Sequence, residues 1–159
     1  MANPTLARAI FSGVKDVENR QQVMQAGWYA VYLTKASSGD SSFGLPRNFA
    51  DLMAAKGIVP WTDAEVASKL GCILGLVRLG SPTPSSSPWR MMEIGREAHP
   101  IQEVLELSNP IPVRPMSGVW ALPTETRDAL ASILQQEVAE ALRCASTETT
   151  ETHIKTCTL

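Results

Sequence analysis

Lys15, Glu18 and Arg20 fall within the stretch Gly13-Val14-Lys15-Asp16-Val17-Glu18-Asn19-Arg20. Residues two apart on a strand share one face, so Glu18 and Arg20 stand side by side there. A carboxylate beside a guanidinium stays ionised and oriented. Lys15 has the opposite parity and joins the pair if the preceding turn rotates it back. Its positive charge then suits a phosphate or a polarised carbonyl. Two readings are open from spacing alone. One is a solvated strand edge with an ordinary surface ion pair, worth ~0–1 kcal/mol. The other is a ligand site.

In the second reading each residue has a role and a plainer alternative. Lys15 is a phosphate contact, or a base or amide-polarising lysine if it is desolvated. Arg20 binds a phosphate or a base edge with two donors, or is tied up by Glu18. Lys35 follows at the end of an apolar strand. Among the tryptophans, Trp89 borders a Ser/Pro-rich loop and is the candidate for base stacking, worth ~1–3 kcal/mol where it occurs. Trp28 and Trp120 fit core positions. His99 and His153 have no Cys/His or carboxylate spacing around them, so no metal is assigned. Ser41 and Ser42 lack a nucleophile-elbow context and read as loop residues. No cofactor is expected.

The elements that would position these residues read as follows. Pro4 suits the first turn of a helix over residues 4–12, with Leu6 and Ile10 on one face and Gly13 as its stop. The segment 27–34, Gly-Trp-Tyr-Ala-Val-Tyr-Leu-Thr, is uncharged, aromatic and β-branched, a strand covered on both faces. Residues 36–44 read as a loop and 46–56 as a helix ended by Gly57. Thr62 and Glu65 have capping-box spacing for a helix ending near Leu70. Residues 71–79 form a second apolar strand, and Gly75 within it marks a bulge or a close backbone approach. The stretch 80–88 is an extended loop, and 89–98 reads as a helical turn or two. A strand is expected over 101–107, extended chain over 109–112 and a short strand over 118–122. A final helix covers 124–143, with Leu130, Ile133, Leu134, Val138, Ala141 and Leu142 as its apolar stripe. The tail, 144–159, is Ser/Thr/Glu-rich and expected to be flexible. This order predicts an α+β fold, a small barrel with peripheral helices and a C-terminal helix, forming one domain over 1–143.

Composition narrows the classes. A chain of 159 residues with 44% hydrophobic and 19% charged residues is ordinary for one globular domain. Its net charge of −2 gives no global basic field, so a nucleic-acid partner must be met by a local site. Three scattered cysteines, Cys72, Cys144 and Cys157, do not form a disulfide framework. With no signal peptide, they favour a reducing, cytoplasmic setting, the nucleus included. No apolar run reaches the ~20 residues of a membrane span. A monomer is expected.

Gly13, Lys15, Glu18 and Arg20 together resemble the G-x-K-x-x-E-x-R signature of ASCH domains, a PUA-like family linked to RNA. The segment from Gly27-Trp28 to Lys35 is similar to that family's following strand. Gly71-Cys72-Ile73-Leu74-Gly75-Leu76-Val77 is similar to its G-x-I-x-G-x-V strand. Ser87-Pro88-Trp89 and the run from Ser108-Asn109-Pro110 to Pro123 resemble its closing section. The resemblance covers about residues 4–123 and implies a PUA-like β-barrel. It further implies that RNA or a nucleoside binds in a cleft at the helix-to-strand turn, with Lys15, Glu18, Arg20, Lys35 and Trp89 as ligand-binding residues. The family's first strand would precede Pro4, so the barrel lacks it or the start is truncated. Tyr32 stands where a histidine is common. Some small relatives are amidohydrolases on N4-acetylcytidine, using a Lys, a Thr and a Glu. Lys15 matches that lysine, and Glu18 falls where the threonine sits. Lys15 and Glu18 are therefore the candidate catalytic pair of the alternative, enzymatic reading. A third reading is an interaction protein using the final helix or the Ser/Pro loop.

Overall fold

A computed structural model of the chain describes residues 4–20, 23–34, 48–90, 97–114, 121–136 and 139. Lys35, Ser41, Ser42, Trp120, most of the expected strand at 118–122 and the tail 144–159 lie outside them. The chain divides into two compact units, Met1–Val119 and Trp120–Leu159.

Helix α1 (Pro4–Phe11) buries Ala7, Ala9 and Ile10. It ends as expected at Gly13, whose φ of 70° is one that L side chains resist. The Gly13 N–H donates to the Ile10 carbonyl and the Val14 N–H to that of Ala9, both at 3.0 Å. This pair of bonds is the Schellman motif, and it satisfies carbonyls that the helix end would orphan. The Lys15 N–H also reaches the Ala9 carbonyl, at 2.9 Å. The turn is thus locked before the next strand begins.

Strands β1 (Val17–Arg20) and β2 (Gly27–Tyr32) follow. Next come helices α2 (Phe49–Ala54) and α3 (Asp63–Lys69), then strands β3 (Cys72–Leu79) and β4 (Glu97–Pro112). The Thr62–Glu65 capping box opens α3: the Glu65 N–H donates to Thr62 Oγ1 at 3.3 Å, and the Thr62 N–H to Glu65 Oε2 at 2.7 Å. The sheet is antiparallel in the order β1-β4-β3-β2. Among the described residues it is an open four-stranded sheet, not closed into a barrel.

Strand β4 departs most from the sequence reading. It is one strand of 16 residues running through the expected strand at 101–107 and the extended chain at 109–112, and it takes in residues 97–98 of the helical turn or two expected over 89–98, whose residues 91–96 lie outside the described residues. Pro100, Pro110 and Pro112 lie within it, although proline cannot donate to a ladder. Pro100 falls where the strand changes partners: Glu97 to Pro100 pair with β1, and Ile101 onward with β3. Residues 121–122, the described end of the expected strand at 118–122, are not in a strand.

Gly75 is where the register between β3 and β4 shifts, as its place in the strand suggested. A Cβ there would collide with the Leu105 carbonyl and lie 2.6 Å from the Phe11 ring. One buried cluster joins Ala7 and Ile10 of α1 to Val31, Leu33, Leu74, Val77 and Leu79. A second joins Ala9, Val17, Met53 and Trp89. Each fully buried Leu or Ile in such clusters contributes ~1.5–3 kcal/mol. In the second unit, helix α4 (124–136) turns Leu130 inward, half-buries Ile133 and Leu134 and exposes Arg127 and Asp128. No helix among the described residues is long and apolar enough to cross a membrane.

Candidate functional site

The Schellman turn delivers Lys15 to the start of β1 with its side chain only 2% exposed. Its Nζ donates to the Val17 carbonyl and to Glu18 Oε2, the latter at 2.7 Å. Arg20 Nη2 reaches the other oxygen, Glu18 Oε1, at 2.8 Å. The turn has therefore rotated Lys15 back, and one carboxylate bridges two cations. The Glu18 side chain is 20% exposed and that of Arg20 34% exposed. Arg20 Nε is itself enclosed and has no hydrogen-bond partner among the described residues.

Burial pushes the Glu18 carboxyl up, but the Lys15 ammonium and the Arg20 guanidinium together pull it below the ordinary value of 4.5. Glu18 is thus a firmly ionised acceptor, holding two donors in place, and a poor base. The group of three carries a net positive charge.

The two faces of β1 do different work. Glu18 lies opposite His99 and Arg20 opposite Glu97 in the β1–β4 register. On the other face, Val17 packs with Ala9, Met53 and Trp89. The Asn19 side-chain N–H donates to the Trp89 carbonyl at 2.8 Å. The Ser87 hydroxyl donates to Asp16 and accepts the Trp89 N–H at 3.1 Å. The segment 85–90 is therefore fastened along the site strand.

This corrects the expectation for Trp89. Its side chain is 1% exposed, so the ring is packed in the core instead of open to a base. Trp28, expected in the core, is 45% exposed on β2. Alternation explains the second case: Tyr29 and Val31 face the core, which turns Trp28 outward. Trp89 is buried by contacts with α1, β1 and α2, which its Ser/Pro-rich neighbourhood did not reveal.

Three contributors went unassigned in the sequence. Asp16 and Asn19 lie inside the stretch 13–20 and fasten segment 85–90. His99 is fully buried, and both ring nitrogens are engaged. The Met24 N–H donates to Nε2 at 3.2 Å, so Nδ1 carries the proton and donates to the Gly80 carbonyl at 3.1 Å. That carbonyl is free because of Pro100. The Gly80 N–H donates to the Pro100 carbonyl at 2.9 Å, and the reciprocal bond cannot form, since proline has no N–H. The signal in the sequence was the pair His99-Pro100, whose meaning depends on the strand pairing.

No group of three or more His, Cys, Asp or Glu side chains that could hold a metal occurs among the described residues. The chain matches no known protein-family profile and none of the curated proteins.

Proposed function

We propose that this protein is an RNA- or nucleotide-binding domain of ASCH-like, PUA-like type, whose ligand meets the turn between α1 and β1. The observation that carries this reading is the convergence of Lys15 and Arg20 on Glu18. A half-buried carboxylate fixes two cations, leaves a net positive charge, and leaves Arg20 partly exposed. That arrangement suits an oxyanion such as a phosphate. In this reading the four strands are the larger part of a PUA-like barrel. Trp89 contributes by holding β1 from behind, not by stacking. The amidohydrolase alternative needs Glu18 to activate water, and its two cationic partners make it a weak base.

The test is RNA binding by anisotropy at two salt concentrations. Replacing both Lys15 and Arg20 by Ala should weaken binding and flatten the salt dependence by about one unit of slope for each phosphate that is no longer neutralised. Unchanged affinity and slope in a folded variant would remove the site from this turn. Multiple-turnover release of cytidine from N4-acetylcytidine, abolished in Lys15→Ala and in Glu18→Ala, would replace this reading with the enzymatic one.

A further inference from the structure

The segment after β3 reads Gly80-Ser81-Pro82-Thr83-Pro84-Ser85-Ser86-Ser87-Pro88-Trp89-Arg90. Ser81, Thr83 and Ser87 each precede a proline, which biases them to extended backbone. Only Ser87 also has a basic residue three positions on, in Ser87-Pro88-Trp89-Arg90. Proline next to the serine and a cation at the third place is the pattern that proline-directed protein kinases select. Residues 81–87 have no regular secondary structure. Within the segment, the Ser87 hydroxyl is bonded to Asp16 and to the Trp89 N–H. Thus the same hydroxyl that fits the kinase pattern fastens the segment to the site turn.

We infer that Ser87 is a phosphorylation site for a proline-directed protein kinase, and that its hydroxyl is a latch which modification opens. In the step, Ser87 Oγ attacks the γ-phosphorus of ATP. The Oγ–P bond forms, the bond from phosphorus to the β,γ-bridging oxygen breaks, and ADP leaves. The hydroxyl proton passes to the kinase's base. The product can no longer donate to Asp16, and the phosphate dianion repels that carboxylate. Arg90, whose Nη1 donates to the Ser85 carbonyl at 3.1 Å, is the cation on this segment that can receive the phosphate. Because Trp89 is buried, the segment must lift before a kinase can engage it. The rate is then governed by local opening, which the Asp16 and Asn19 bonds oppose. This inference does not depend on what the site binds.

The experiment incubates the full-length protein with a recombinant proline-directed kinase and ATP and maps phosphate by mass spectrometry. A peptide of residues 81–90 serves as the reference for the open segment. Phosphate is expected on Ser87, more slowly than in the peptide. Asp16→Ala should raise the initial rate about tenfold, the effect of losing one charge-assisted hydrogen bond. Asp16→Asn, which keeps an acceptor and is the milder change, should fall between the two. Phosphate on Ser81 or Thr83 alone, or on none of the three while the peptide is labelled, would overturn the site. Labelling of Ser87 at one rate in the wild type and both variants would overturn the latch.

Discussion

A carboxylate shared by two cations makes substitutions at the candidate site unequal. Glu18→Gln removes the negative charge between the two cations and leaves one acceptor oxygen where the carboxylate had two, so the enclosed Lys15 ammonium and Arg20 compete for it. Breaking such a group should cost about 3 kcal/mol of stability. Lys15→Met removes a buried charge, keeps the volume and leaves Glu18 its Arg20 partner, so the cost should be about 1 kcal/mol or less. Urea unfolding of both variants checks the ranking, and a larger loss for Lys15→Met would reverse the assignment of Glu18 as the hub. The same carboxylate predicts a pH dependence. Its folded-state pKa lies below the ordinary 4.5, so its contribution is complete above that pH. The contribution is lost as the pH falls through the lowered value. The stability gap between wild type and Glu18→Gln should therefore be constant from pH 7 to about 5 and close on further acidification.

At the level of elements, some signals are local and others are not. Gly13 was readable as a helix stop, because a positive φ at that place has few other occupants. The Thr62–Glu65 box was readable because both bonds lie within four residues. Gly75 was readable as a close approach, and a direct test follows. Gly75→Ala would drive a methyl group into the Leu105 carbonyl and the Phe11 ring, where backbone must move. Thermal unfolding should show a loss of about 3 kcal/mol or a failure to fold. A neutral substitution would mean that the β3–β4 spacing is looser than described. What could not be read was β4 as one strand, because it changes neighbours at Pro100. The burial of Trp89 was hidden for a similar reason: its partners Ala9, Val17 and Met53 are far away in sequence. Within the site, the Glu18–Arg20 pair followed from strand parity. The Lys15 bond to Glu18 required the Schellman turn, and the roles of Asp16, Asn19 and His99 required the fold.

For the whole molecule, a net charge of −2 sets the style of any polyanion binding. The positive charge at Lys15 and Arg20 is local, so long-range attraction is weak. Passage over immobilised heparin at about 0.1 M salt should show little retention, because few counterions would be released. Strong retention would point to a basic surface other than this turn. The sheet as a whole depends on the crossing at Pro100, where β4 leaves β1 for β3. There a missing N–H on one residue is supplied by the ring of the residue before it. His99 and Pro100 are therefore not independent positions but a coupled pair in which each sets the worth of the other. His99→Leu alone strands the Gly80 carbonyl and the Met24 N–H, at a cost of about 2–4 kcal/mol. In a Pro100→Ala background the new backbone N–H can claim the Gly80 carbonyl, and the same substitution should cost about 1 kcal/mol less. Strictly additive losses in that double-mutant cycle would show that the two residues are neighbours by accident. Coupling would mean that a lineage could drop the histidine most easily after it had first lost the proline.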